Sequence, residues 1–226
     1  DGPYPTLLAS NGARHTNNGI CFMGALIDNE ADGQPTANAD GDDLSTSDDE
    51  DGVTFTSPLT QGQWATLNVV ASVNSMLNAW MDFNQLNGWA DANEQIFANV
   101  PLIAGINALT FQVPASATLG TTYLRFRVNM NGFLSFTGLA SEGEVEDYRS
   151  TITGNEFDFG DAPEGAYAYV PSGVFPNGVM GQFPTCISVG PATWIQHSTS
   201  FAFFGNFDKE MDGNAGSCPG FSPYDQ

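Results

Sequence analysis

The 226-residue chain carries 26 Asp and Glu against five Lys and Arg, a formal charge of −21. So acidic a surface excludes nucleic acid and anionic membranes as partners and favours metal ions or basic partners. Hydrophobic residues at 41% and aromatics at 12% supply a packed core for one large or two ordinary domains, and no apolar run is long enough to span a bilayer.

In chain order, the first informative stretch runs from Asp28 to Gly52, with ten carboxylates and no Lys or Arg. Charges packed so densely repel one another unless cations neutralise them, and hard cations such as calcium prefer oxygen ligands. A solvated acidic linker is the alternative. The leading Asp28, Glu30 and Asp32 alternate and end at Gly33. Every second side chain then points the same way, and Gly permits the tight turn a cation loop needs. The spacing is like the start of an EF-hand loop, without its downstream Glu and flanking helices. The run Asp48 to Gly52 offers Asp49 and Asp51 as ligands to the same ion or a second one.

Strand signals follow. Residues 64–73 place Ala65, Leu67, Val69, Ala71 and Val73 on one face, and residues 76–84 do the same with Leu77, Ala79, Met81 and Phe83. At the end of the second strand, Asp82 and Asn84 share a face, and Asp91 and Glu94 follow in position to close a loop around an ion or to cap turns. Residues 107–113 align Leu109, Phe111 and Val113. Residues 121–129 turn Thr122, Leu124, Phe126 and Val128 inward and Tyr123, Arg125 and Arg127 outward. Residues 144–152 form a further strand on which Glu144 and Glu146 share a face. Two like charges so placed need a cation, or Arg125 and Arg127 from a neighbouring strand. Period-two alternation over several short strands, broken by Gly, Pro and Asn turns, predicts an all-β, antiparallel β-sandwich with long acidic loops.

Self-comparison reveals a repeat. Asp1-Gly2-Pro3 matches Asp161-Ala162-Pro163, His15 has a counterpart in His197, and the triplet at 28–33 returns as Asp208, Glu210 and Asp212 before Gly213. The expected organisation is one full module over 1–153 and the N-terminal part of a second, incomplete related module over 154–226. The chain reads as a piece of a longer array. Asp208, Glu210 and Asp212 join the candidate metal ligands. The paired histidines suit a metal shell or a hydrogen-bonded core. Of three cysteines, Cys186 and Cys218 flank an acidic turn and are positioned for a disulfide, with free buried thiols as the alternative. Cys21 is left as a core thiol or an intermolecular link. No G-x-S-x-G, H-E-x-x-H, Walker or G-x-G-x-x-G motif occurs, so no enzyme is expected.

GEVEDY at 143–148 resembles the signature of the GEVED domain, a module of large secreted or surface bacterial proteins. The resemblance extends to GARHT at 12–16, LIDNEADGQPTANADGDD at 26–43, DDEDGVTF at 48–55, NAWMDFN at 78–84, WADANEQIF at 89–97 and TTYLRFRV at 121–128. It implies extracellular placement, tandem arrays and calcium dependence, and brings Asp42 and Asp43 into the ligand set. Around Asp82-Phe83-Asn84 the family often continues with alternating Gly and Asp, where this chain has Gln85-Leu86-Asn87-Gly88. The expected function is an extracellular, calcium-binding structural or adhesive module of a tandem-repeat surface protein or fibre. Its partners would be metal ions, neighbouring copies or modules assembling head-to-tail by strand exchange, and cell-surface ligands. The alternative is an accessory carbohydrate-binding domain of a secreted hydrolase, with Trp89 and Trp194 as a sugar platform.

Overall fold

The computed structural model describes residues 3–27, 29–41 and 51–155, and the backbone of four later strands. The chain divides into two compact units, Asp1–Gly154 and Asn155–Gln226.

The first unit is all-β and sandwich-like. Its short opening strands are β1 (Arg14–His15), β2 (Val53–Phe55) and β3 (Leu59–Thr60). The long ones are β4 (Trp64–Ala71), β5 (Ser75–Met81), β6 (Gln95–Leu102), β7 (Gly105–Gln112), β8 (Gly120–Asn129) and β10 (Glu144–Thr153), with the two-residue β9 (Leu139–Ala140) between the last two. One sheet has the order β2-β4-β7 and the other β3-β10-β8-β5-β6. Their pairings are antiparallel except for β3, which runs parallel to the end of β10. A parallel pair, β1 with β9, belongs to neither ladder but packs over the larger sheet at β10 and Arg127.

Alternation builds the core. Ala65, Leu67, Val69 and Ala71 from one sheet and Leu77, Ala79, Leu124, Phe126 and Val128 from the other are all buried in a single cluster. Edge-to-face ring contacts join the two layers, Phe55 to Phe126 at 6.5 Å and Phe97 to Phe111 at 5.9 Å. Such pairs add about 0.5–1.5 kcal/mol each to the burial of the rings.

The outer face of the larger sheet is also covered. Asn78, Trp80 and Asp82 of β5 and the segment after it are buried, as are Arg125 and Arg127 of β8. The outward orientation expected for Arg125 and Arg127 is correct, but the residues preceding β2 and the loop between β8 and β10 pack over them. Cys21 belongs to the core, where burial beside Glu142 pushes its thiol up to about 12.

In the second unit, β11 (Phe157–Phe159) pairs antiparallel with β14 (Gln196–Ser198), and β12 (Glu164–Tyr169) with β13 (Val179–Gln182). Asp208, Glu210, Asp212, Cys186, Cys218 and Trp194 lie outside the described residues, as do Asp28, Asp42, Asp43 and Asp49.

Candidate functional site

The motif at 143–148 begins β10 and uses nearly every side chain differently. Gly143 has φ +107°, and a Cβ there would overlap the Val128 carbonyl oxygen, so only glycine fits. Glu144 and Glu146 pair across the sheet with Val128 and Phe126 and therefore face the sandwich interior. Glu144 accepts a hydrogen bond from the Met23 amide. Glu146 accepts one from the Gly52 amide at 3.1 Å and another from the Tyr148 hydroxyl at 2.8 Å. The same hydroxyl accepts from the Val53 amide at 3.0 Å. A Cβ on Gly52 would lie 2.3 Å from Met23 Cβ and crowd the Glu146 carboxylate, so this approach too requires glycine. Asp51 completes the tie by accepting from the Ala25 amide at 2.9 Å. Asp51, Glu144 and Glu146 thus gather where residues 23–25 and 51–53 meet the sandwich, and each anchors backbone.

Asp147 points the other way. It pairs with Arg125 through two hydrogen bonds, 2.7 Å to Nε and 2.6 Å to Nη2. The expected alternative, a ladder of Glu144 and Glu146 with Arg125 and Arg127, is overturned by register. Asp147 and Val145 stand opposite the two arginines, so the glutamates occupy the opposite face. The guanidinium of Arg125 also lies 4.4 Å from the Trp89 ring and donates to the carbonyls of Pro5 and Phe136. Arg127 donates through Nε to His15 Nε2 at 3.0 Å and through its other nitrogens to the carbonyls of Arg14, Ser135, Thr137 and Gly138. His15 Nδ1 lies 2.7 Å from the Glu142 carbonyl. Accepting at Nε2 fixes the proton on Nδ1, and burial beside Arg127 lowers this imidazole to about 3. His15 is a neutral member of a buried hydrogen-bonded network.

Among the triplet residues, Asp32 accepts from the Leu8 and Gly33 amides at 2.7 and 2.8 Å. Glu30 is exposed. Asp40 closes a local turn with the Thr36 hydroxyl at 2.6 Å. Trp89 is 2% exposed and stacked among Arg125 and Tyr4, so it forms no sugar platform.

A second carboxylate group sits where β5 runs into the loop leading to β6. Asp82 is fully buried and accepts from the Tyr4 hydroxyl at 2.8 Å and from the Gln85 amide. Asn84 donates to Asp91 at 2.8 Å. Glu94 is 2% exposed, and neither carboxylate oxygen has a partner at hydrogen-bonding geometry. Burial first, then the neighbouring charges of Asp82 and Asp91, raise it from 4.5 to about 7, and the nearby amides of Asp91 and Asn84 offset only part of that rise. The connecting loop is wound through left-handed residues, Gln85, Asn87, Gly88 and Asn93. Among the described residues, no three His, Cys, Asp or Glu side chains already form a metal shell. Orphaned buried carboxylate oxygens are nonetheless what an oxygen-seeking cation neutralises, and the donor set of Asp82, Asn84, Asp91 and Glu94 is all hard oxygen.

Residues 76–151 match the family model of the GEVED domain, from the start of β5 to within β10. They contain both the clamp at 143–148 and the Asp82–Glu94 loop. No curated protein and no solved structure matches the chain.

Proposed function

We propose, for a chain whose residues 76–151 match the GEVED domain model, the role of an extracellular, calcium-stabilised structural or adhesive module in a tandem-repeat surface protein. The observation that carries the reading is Glu94, with two buried oxygens that no donor reaches at full hydrogen-bonding geometry, beside Asp82 and Asp91. A buried carboxylate left alone costs several kcal/mol or takes up a proton. A divalent cation held by Asp82, Asn84, Asp91 and Glu94 would remove that cost. Calcium suits the site better than zinc, because the donors are oxygens and include a neutral amide. Gln85-Leu86-Asn87-Gly88 stands where the family resemblance implies alternating Gly and Asp, so backbone carbonyls or water would take the place of the missing acids.

The ion's work is structural. It would lock the turn between β5 and β6, whose side chains Asp82 and Trp89 hold Tyr4 and Arg125. Through them it would fasten the covering N-terminal segment to the sheet. The acidic surface suits a secreted protein exposed to millimolar calcium, and no catalytic role is assigned. Strand β10, which begins in the clamp, ends at Thr153, next to the boundary at Gly154. A stiff last strand is what a tandem array needs to pass load from one module to the next.

Because calcium would bind the folded state and not the unfolded one, saturation at about 100 times Kd adds about 2.7 kcal/mol. Chelation with EDTA is therefore expected to lower the melting temperature by several degrees, reversed by calcium and not by sodium. An unchanged melt in EDTA, with no metal found by elemental analysis of the untreated protein, overturns the reading.

A further inference from the structure

The three-stranded sheet carries no charged side chain. No Asp, Glu, Lys or Arg occurs from Gly52 to Met81 or from Gln95 to Leu124, within a chain of net charge −21. Strands β2, β4 and β7 all fall in those stretches, as do β3, β5 and β6 of the larger sheet. Among the described residues, β7 pairs on one side only, with β4. The Val113 amide bonds to Gln63, so the odd-numbered residues of β7 face β4. The backbone groups of Ile106, Ala108, Thr110 and Gln112 therefore point to the open edge. Ile106 is 68% exposed. Beside this edge lies a groove of about 650 Å³ lined by Trp64, Ile96, Phe97, Val100, Leu109 and Phe111.

Exposed edge strands are usually blunted by charge or proline. The other edge at this opening, β6, carries Pro101, and β7 carries neither device. We propose that the β7 edge is a self-association surface, pairing antiparallel with β7 of a second copy. Charge selects this occupant. Two molecules of −21 repel wherever their acidic faces meet, and an uncharged edge against its own copy is the approach that meets least repulsion. A basic partner would find no carboxylate here to recognise. Pairing would give the outward backbone groups of both strands their partners and join two three-stranded sheets into one of six. Such a contact is isologous and closes into a pair. Head-to-tail growth would need a different surface. The proposal extends the structural reading but stands on separate observations.

Sedimentation of the full chain at saturating calcium tests it, in about 0.15 M and about 0.5 M NaCl, since salt screens the overall repulsion. A monomer–dimer equilibrium that tightens with salt is expected. Ala108→Asp should weaken it about tenfold or more, by placing like charges at the seam. Ala108→Lys is the sharper variant. It lowers the net charge, so general electrostatics predicts stronger association, whereas edge pairing predicts weaker. Thr54→Asp, on the opposite edge strand, should shift the equilibrium less than about threefold. Melting temperatures of all variants guard against misfolding. Wild-type protein that stays monomeric at high salt, Ala108→Lys that associates as well as wild type, or Thr54→Asp that disrupts as strongly, each overturns the proposal. Association is read at constant calcium and metal dependence by chelation, so either reading can fail while the other stands.

Discussion

At the scale of single residues, the acidic side chains divide into those that hold backbone and those that face each other. Glu144, Glu146, Asp51 and Asp32 each accept from a main-chain amide, which engages at least one oxygen of each carboxylate without a cation. Asp147 instead neutralises a fully buried guanidinium. Removing one partner of a buried pair leaves an uncompensated charge, at about 3–5 kcal/mol. Asp147 retains some exposure, so Asp147→Asn is expected near the lower bound, about 3 kcal/mol. Urea denaturation at neutral pH measures it, and a change below about 1 kcal/mol would mean that the carbonyls of Pro5 and Phe136 suffice for Arg125. The Tyr148 hydroxyl donates to Glu146 and accepts from the Val53 amide. Tyr148→Phe keeps the ring against Phe126, at 5.7 Å, while leaving a buried amide short of its acceptor. The expected cost is about 1–3 kcal/mol, read by the same titration. A neutral result would show that the other ties of residues 51–53, through Glu146, Asp51 and the β2–β4 pairing, suffice without the hydroxyl.

At the scale of elements, how well each strand could be read depended on what covered its two faces. Alternation in β4 and β8 was plain because one face of each packs into the core: Leu67 and Val69, then Leu124 and Phe126. Strand β6 was not readable as a strand. A register irregularity near Asn99 breaks its alternation, and Pro101 interrupts its pattern. The shared face of Glu144 and Glu146 on β10 was legible, but what that face meets was left open between a cation and the arginines, for a different reason. Whether Glu144 meets Arg127 or Val128 depends on parity across the irregular segment from Met130 to Gly143, and period-two patterns within a strand carry no information about register between strands. The burial of Arg125 and Trp89 was invisible as well, because a nonregular segment covers them and leaves no periodic trace. The Asp82–Glu94 loop was legible as a candidate in its residue types, but Gln85-Leu86-Asn87-Gly88, where the resemblance implies acids, kept it out of the expected ligand set. What the sequence could not supply was that Glu94 lies buried without a hydrogen-bond partner.

At the scale of the whole molecule, stability as a function of pH combines two buried groups of opposite sense. The metal-free folded state keeps a proton on Glu94 up to about 7, whereas an ordinary glutamate releases it near 4.5. Between those values the folded state binds the extra proton. Glu94's contribution is therefore fully present below 4.5 and is lost as pH rises through 7. His15 stays neutral in the fold down to about 3, against 6.5 for a free imidazole. Its contribution is complete above 6.5 and is lost as pH falls toward 3. Without metal, the two slopes oppose each other between 4.5 and 6.5. A bound cation would hold Glu94 ionised, so calcium should weaken its part and leave that of His15. Melting curves from about pH 5 to about pH 8, with calcium and with EDTA, are expected to diverge most at the alkaline end, with the calcium form the more stable. Calcium binding near pH 6 should also release close to one proton, visible in calorimetry as a dependence of the heat on the buffer's ionisation enthalpy. Glu94→Gln isolates the group. It should abolish the proton release, weaken calcium binding, and raise the melting temperature of the metal-free protein at about pH 8 above that of wild type. A Glu94→Gln protein that binds calcium as tightly as wild type would place any ion away from this loop.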